Sequence, residues 1–350
     1  MFEKKKIGVW GQFGDGGKIA DGQAVRTTII TNELKMRYGH DSVNILNTNQ
    51  WTKHPFSFLF NSIKLFLKSE KIIILPADNG FKVIVILYNF LSIMFKREIY
   101  DIVIGGYLPS LLYKKRYYVE MLAKYKALFV QTPNIKKDLE KIGLKNVYIL
   151  SNPKRLNTRK EHDLIINKNK NVSVCVFSRV SKDKGIIEAI NAVKMTNDIL
   201  GGDYIKLDIY GLILKDFEDR FYDLLKENQD FVKYKGIVDY DKTVETLSNY
   251  FVLLFPTYFH GEGFPGSMID SFNTGIPIIA TDWLYNKDVI HNGINGILVP
   301  IKDTKALSNA LLDLYNNREK ALEISKNNLK EAEKYKPDEV MSILYKFLDK

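Results

Sequence analysis

The chain has one cysteine in 350 residues, and nowhere an apolar run long enough to cross a bilayer. Cys175, inside the apolar run VSVCVF, can form no internal disulfide, which excludes a disulfide scaffold and suits a buried strand thiol in a reducing compartment. The longest apolar stretch, VIVILYNFLSIMF (83–95), is interrupted by Asn89 and falls short of the ~18 residues a membrane span needs. At the amino end (MFEKKKIGVWG), three lysines precede an apolar run of only four residues, too short for a signal peptide. Internal repeats and low-complexity tracts are missing as well. These absences predict a cytoplasmic protein that is not integral to a membrane.

What is present is ordinary for a folded protein: 45% apolar and 26% charged residues. A length of 350 is long for one hydrophobic core, so two domains are expected. The net charge of +10 is unevenly placed. Residues 1–150 hold 23 Lys/Arg and 12 Asp/Glu, a balance of +11, leaving 28 basic and 29 acidic residues, or −1, in the remainder. An anionic partner for the first half is one reading, whether membrane surface, nucleic acid or acidic substrate; a solvated lysine-rich surface is the other.

Short apolar runs alternate with helical patterns along both halves. Strands are predicted at 6–10, 42–48, 71–76, 100–105, 127–132 and 146–151, then at 172–177, 204–211, 231–238, 250–258, 276–282 and 296–300. Such alternation predicts an α/β protein with parallel sheets covered on both faces. The polar, patternless stretch 152–171 reads as a linker between two consecutive doubly wound, Rossmann-like domains. Ligands of such sheets bind at the carboxyl ends of the strands, so the loops leaving those ends carry the chemistry.

Three loops stand out. GQFGDGG (11–17) joins the first strand to a helix and suits phosphate or sugar hydroxyls. It is not a phosphate loop, because Gln12 stands where a glycine is needed and Ile19 where Ser or Thr is needed; it also lacks the third glycine of a dinucleotide fingerprint. FSRVSKDKG (177–185) puts Arg179 and Lys184 just before a helix, where a guanidinium, an ammonium and free helix N–H groups can hold a diphosphate. HGEGFPGSMID (260–270) follows a strand; its proline and glycines keep Glu262 in a loop, and helix can begin at Ser267. Ser267 and Asp270 form an S-x-x-D capping box, which offers Asp270 a purely structural role. Glu262 has no such role and can accept hydrogen bonds from sugar hydroxyls, with backbone N–H groups of Gly263 and Phe264 beside it. The acidic DYD (239–241) reads as an exposed turn rather than a metal site.

The blocks FSRVSKDKG, HGEGFPGSMIDSFNTGIPIIATD and NGINGILVP, in this order and spacing, resemble the retaining glycosyltransferases of family 4, which have the GT-B fold: two Rossmann-like doubly wound domains facing each other across a cleft. The likeness is specific over 172–303 and weaker over 1–150. Within the family it points to bacterial enzymes that assemble capsule, O-antigen (lipopolysaccharide) or exopolysaccharide units. It implies an acceptor-binding domain at 1–151, the linker at 152–171, a nucleotide-sugar-binding domain at 172–330, and a C-terminal helix in 331–350 that packs back towards the first domain. Arg179 and Lys184 match the basic pair on the donor diphosphate. Glu262 matches the first acid of an E-x7-E pattern, beside the donor sugar. Asp270 takes the second position, that of the ribose hydroxyls, one methylene shorter than the family's Glu. Gly263, Phe264 and Pro265 match the lining of the sugar pocket, and Ser267 falls near the phosphate end of the helix. Gly211 and the Gly236–Val238 loop resemble segments that flank the nucleobase. Gly16 and Gly17 match the loop facing donor phosphate and acceptor. The acceptor loop would be IGGYLPS, with Gly105, Gly106 and Tyr107; it has no histidine, which many relatives carry nearby.

The reaction so implied moves a hexose-type sugar, with retention, from a nucleotide diphosphate, UDP foremost, to a sugar acceptor that is lipid-linked. No cofactor, metal or nucleic acid is implied. HPFSFLFNSIKLFLKS (54–69) and the basic first half suit a peripheral contact with the inner face of the cell membrane, although an ordinary amphipathic core helix reads the same way. Two other readings stay open: a nucleotide-sugar epimerase on this fold, and a non-catalytic basic protein that binds membrane or nucleic acid.

Overall fold

The structure is a computed structural model that describes residues 5–13, 22–49, 51–165 and 169–350. The chain forms two compact units, residues 1–155 with 336–350, and residues 156–335.

The first unit runs β1 (Lys5–Gly11), α1 (Gly22–Tyr38), β2 (Val43–Asn47), α2 (Pro55–Lys68), β3 (Ser69–Leu75), α3 (Asp78–Met94), β4 (Glu98–Ile102), α4 (Leu108–Lys114), α5 (Tyr117–Leu122), β5 (Ala127–Val130), α6 (Pro133–Ile142) and β6 (Val147–Ile149). The second runs β7 (Val172–Phe177), α7 (Ile186–Leu200), β8 (Ile205–Tyr210), α8 (Glu218–Glu227), β9 (Val232–Gly236), α9 (Thr243–Leu247), β10 (Val252–Phe255), α10 (Gly266–Thr274), β11 (Ile278–Thr281), β12 (Ile297–Val299), α11 (Thr304–Asn316) and α12 (Arg318–Ala332). The last helix, α13 (Pro337–Leu348), belongs to the first unit.

Each unit holds a six-stranded sheet, ordered β2-β1-β3-β4-β5-β6 and β12-β11-β10-β7-β8-β9, with every strand pair parallel. Strands such as Ile72 to Leu75 are buried throughout because helices cover both faces. In the first sheet the alternation of side chains sends Ile7, Val9, Tyr100 and Ile102 towards Ile30 and Leu34 of α1 and towards Met341 and Leu344 of α13. Lys71 Nζ donates to the carbonyl of Leu348 at 2.7 Å, which fastens the end of α13. Trp10 points to the opposite face, where its ring lies 5.7 Å from Phe58 of α2.

Residues 152–155 stay with the first unit, where Arg155 makes two hydrogen bonds, of 3.0 and 2.9 Å, to Glu33. From Leu156 the chain belongs to the second unit; Thr158 Oγ1 donates to Asn273 Oδ1 at 2.7 Å and the amide of Arg159 to the carbonyl of Asn273 at 2.8 Å.

Two of the buried ionisable side chains of the first unit, Arg26 and Asp101, have shifted pKa values. The Arg26 guanidinium donates to the carbonyls of Val103 and Leu150, each at 2.8 Å, and so ties α1 to the carboxyl ends of β4 and β6; burial lowers its pKa to about 9. Asp101 of β4 is wholly buried, and neither carboxylate oxygen has a hydrogen-bond partner. Burial pushes its pKa up to about 8. The folded state therefore keeps a proton that the unfolded chain releases near pH 4. The associated stability is fully present below pH 4 and is lost as the pH rises towards 8, by at most about 1.4 kcal/mol per pH unit. Asp101→Asn removes the titration, so its stability relative to wild type is expected to improve between pH 5 and pH 8 in urea unfolding; a difference that is flat with pH contradicts the assignment.

Candidate active site

In the second sheet β7 is the first strand, β8 and β9 lie to one side of it, and β10 lies to the other. The order reverses between β7 and β10, and the crevice at the carboxyl ends of that pair is where an open α/β sheet binds ligands. The loops leaving β7 and β10 carry FSRVSKDKG and HGEGFPG.

Their backbones are in contact. The amide of Tyr258 donates to the carbonyl of Asp183 at 2.8 Å. Gly185 caps α7 with φ 74°, and a Cβ there would lie 2.2 Å from the carbonyl oxygen of Pro256, so no other residue fits without movement. This approach brings Lys184 and Glu262 together, both buried, with Lys184 Nζ donating to Glu262 Oε2 at 2.5 Å. Thr257 Oγ1 donates to the same oxygen at 2.8 Å and fixes the carboxylate. The Phe259 ring lies under both cations, 4.9 Å from Lys184 Nζ and 5.2 Å from Arg179 Cζ. The Trp283 indole N–H holds the Phe259 carbonyl at 2.8 Å, and Thr281 Oγ1 donates to the carbonyl of Thr257. Burial, then the charges of Glu188 and Asp183, push the Tyr258 phenol up to about 12, so it remains a neutral donor. Arg179, Lys184 and Glu262 thus form one group of two cations and a carboxylate on a shared aromatic ring.

After Glu262, Gly263, Phe264 and Pro265 lead into α10. Phe264 is buried, with its ring 5.0 Å from that of Tyr335, so its side chain belongs to the core and its backbone faces the loop. The helix begins at Gly266 with Pro265 as N-cap, and no side chain caps it. The capping box predicted for Ser267 and Asp270 is absent for that reason: the helix starts one residue early and Ser267 is already inside the first turn, where the Met268 amide donates to the Pro265 carbonyl at 3.2 Å. Asp270 lies one turn further on, buried, and its Oδ1 accepts from Thr243 Oγ1 of α9 at 3.0 Å.

Gly211, φ 132°, follows β8; a Cβ there would lie 1.8 Å from the carbonyl oxygen of Ser178, beside Arg179. Its amide donates to Gly236 at the end of β9 at 2.8 Å, and Val238, half-buried, packs on the core that contains Cys175 and Tyr210. Gly211, Gly236 and Val238 therefore share the sheet edge that carries Arg179. Lys182 is exposed, as are Asp239 and Asp241. Among the described residues no three His, Cys, Asp or Glu side chains gather as metal ligands.

In the first unit the order reverses between β1 and β3, so the glycine loop after β1 leaves from the same kind of switch point. Gly16 and Gly17 lie outside the described residues. Gly105, Gly106 and Tyr107 follow β4; the Gly105 amide donates to Gln131 Oε1 at 3.2 Å, and Gln131 Nε2 donates to Asn152 Oδ1 at 2.9 Å.

Residue patterns missed Thr257, Phe259, Thr281 and Thr243. Thr257 and Thr281 had a usable signal, since each sits at the carboxyl end of an apolar strand run; Phe259 and Thr243 had none.

Solved structures share this architecture over the whole chain. HepE from Anabaena in complex with UDP-glucose has a TM-score of 0.76 at 14% identity, covering 98% of this chain and 99% of that one. Sucrose-phosphate synthase from Thermosynechococcus elongatus has a TM-score of 0.78 at 15% identity, covering 99% of each chain. The fold is GT-B. The capsular polysaccharide biosynthesis glycosyltransferase CapM of Staphylococcus aureus is 29% identical over 176 residues, 50% of this chain and 44% of that protein, so the match spans less than half of this relative's length. The sequence profile of glycosyl transferases group 1 matches residues 157–331, which include Arg179, Lys184, Glu262 and Asp270. With half of its residues inside that match, the chain belongs to the glycosyl transferases group 1 family.

Proposed function

We propose that this protein is a retaining, metal-independent glycosyltransferase that moves a hexose-type sugar from a UDP-sugar to a lipid-linked sugar acceptor in cell-surface polysaccharide synthesis. The buried Lys184–Glu262 pair at the switch point of the second sheet carries this reading. HepE, a structural neighbour that binds UDP and glucose, supports UDP, and the capsular relative supports the polysaccharide role.

In this reading the donor diphosphate lies against Arg179, Lys184 and the amino ends of α7 and α10. As the bond between the sugar and the diphosphate breaks, negative charge collects on the leaving oxygen. Cations and helix dipoles already in place stabilise it without reorganisation. The leaving oxygen takes the proton of the acceptor hydroxyl on the same face of the sugar, so the new bond replaces the old one with retention. Retaining hydrolases instead use two carboxylates about 5 Å apart; here Glu262 holds Lys184 and accepts from the sugar hydroxyls. Asp270 serves the ribose, Gly211, Gly236 and Val238 flank the base, and backbone groups of Gly263, Phe264, Pro265 and Ser267 line the sugar and phosphate. Gly16 and Gly17 serve the donor phosphate and the acceptor, and Gly105, Gly106 and Tyr107 bind the acceptor, at the inner side of the cell membrane. Arg179, Lys184 and the amino ends of α7 and α10 offset part of the diphosphate charge, and no metal or other cofactor enters the scheme.

A thermal-shift panel of nucleotide sugars tests the donor. Ligand at 100 times its Kd adds about 2.7 kcal/mol, a rise of roughly 5–10 °C. UDP-hexoses are expected to give it, and their transfer is expected to require an added acceptor. Donor conversion with no acceptor would assign an epimerase, and no shift with any nucleotide would remove the donor site.

A further inference from the structure

The first unit carries an apolar face that its own fold leaves uncovered. Helices α2 and α3 lie side by side on the sheet face opposite α1, with the rings of Phe66 and Tyr88 5.0 Å apart and the Tyr88 hydroxyl donating to the carbonyl of Ser62 at 3.1 Å. Arg97 Nη2 adds a bond to the carbonyl of Leu67 at 3.4 Å. Both helices are apolar on two sides. Phe58, Leu65 and Phe66 of α2, with Phe81, Ile84 and Val85 of α3, are buried on the sheet. On the outside, Phe56 is 87% exposed and Phe60 68% in the first half of α2, and Phe90 is 62% exposed, Ile93 78% and Met94 67% in the last turns of α3, level with the end of α2. Val83 and Ile86 extend the α3 stripe at three- and four-residue spacing, and on α2 Leu59 lies beside Phe56 and Phe60, with Leu67 two turns beyond Phe60.

Scattered exposed apolar residues need no explanation, but nine on the outer sides of two neighbouring helices do. Charge selects the occupant. Residues 51–97 contain seven Lys/Arg and two Asp/Glu, and Lys64 and Lys96, one on α2 and one just beyond α3, are exposed. Among the described residues no helix is long and apolar enough to cross a membrane, so the face can lie on a bilayer but not span it. We propose that α2 and α3 together dock on an anionic lipid bilayer, with Phe56, Phe60, Phe90, Ile93 and Met94 inserted below the headgroups and the lysines on the lipid phosphates. The helix at 54–69 is then both core and membrane surface, and the apolar stretch 83–95, too short to span, supplies the second half of the face.

The full-length protein is mixed with phosphatidylcholine vesicles, with and without about one third phosphatidylglycerol. Wild type is expected to co-sediment with the anionic vesicles, and high salt is expected to weaken binding by ~10-fold or more. The triple variant Phe60→Ser, Phe90→Ser, Ile93→Ser is expected to lose at least ~10-fold in partitioning. Its far-UV circular dichroism and urea midpoint are expected to stay near the wild-type values, which reports that the first unit is folded, and its UDP-induced thermal shift, which reads the second unit, is expected to be unchanged. Absence of wild-type binding to anionic vesicles, or equal binding by the variant, overturns the proposal. So does a concentration-dependent dimer that the variant abolishes while lipid binding is nil, because a second copy then covers the face. A missing nucleotide shift in wild type bears on the donor site alone.

Discussion

Replacing Lys184 by alanine is expected to lower donor turnover by ~10² or more and to destabilise the fold by about 3–5 kcal/mol, because it leaves the Glu262 carboxylate buried without its cation. Glu262→Ala is expected to do the same from the other side. Either loss alone is ambiguous, since an unfolded enzyme is also inactive. The double variant Lys184→Met, Glu262→Leu resolves this. Removing both charges of a buried pair, with side chains of similar volume, is often close to neutral for stability. Urea unfolding of the double variant is expected to return near the wild-type midpoint while turnover stays at the level of the single variants. A double variant that is stable and active would make the pair a structural ion pair and no more.

Gly211→Ala should have the second largest effect. The methyl group would lie 1.8 Å from the carbonyl oxygen of Ser178, at a backbone φ of 132° that side chains rarely adopt. Strain and overlap together are expected to cost about 2–6 kcal/mol. The displaced segment is Ser178–Arg179, so UDP affinity is expected to fall along with stability. Gly236→Ala is the control. Its φ is 81°, with nothing within 4 Å of the added carbon, and it is expected to cost only about 1–2 kcal/mol. Equal effects of the two substitutions would mean that the approach of β8 to the Arg179 loop is not what requires glycine.

All twelve predicted strands are present, with ends that differ by a few residues, because most are short apolar runs bounded by polar turns; β5, β10 and β11 are buried along their whole length, whereas β2, β6, β9 and β12 are only partly buried. Helix α12 gave no such signal: its inward side includes Ser325 and Asn328, so the pattern lacks the apolar stripe that marks a helix. Lys184 and Glu262 were legible as separate loops at strand ends. Their contact was not, because it depends on β10 pairing with β7 rather than with β9, the strand that precedes it in sequence. The same long-range pairing hides Phe259 under Arg179. The capping box that Ser267 and Asp270 suggested is absent for a local reason. An S-x-x-D spacing is compatible with a capping box, but Pro265, with ψ 134°, can itself end the extended loop, and the helix starts before Ser267.

The most direct test of the donor site is calorimetric titration of UDP into wild type and Arg179→Ala. Arg179 is half-buried and stacks on Phe259 at the rim of the site, so its removal leaves the core intact. A guanidinium bound to a diphosphate contributes charge-assisted hydrogen bonds worth about 1.5–3 kcal/mol, and the expected result is a ~10- to 100-fold weaker Kd at an unchanged melting temperature. UDP affinity that is the same in both proteins would contradict the placement of the diphosphate at the β7–β10 switch point.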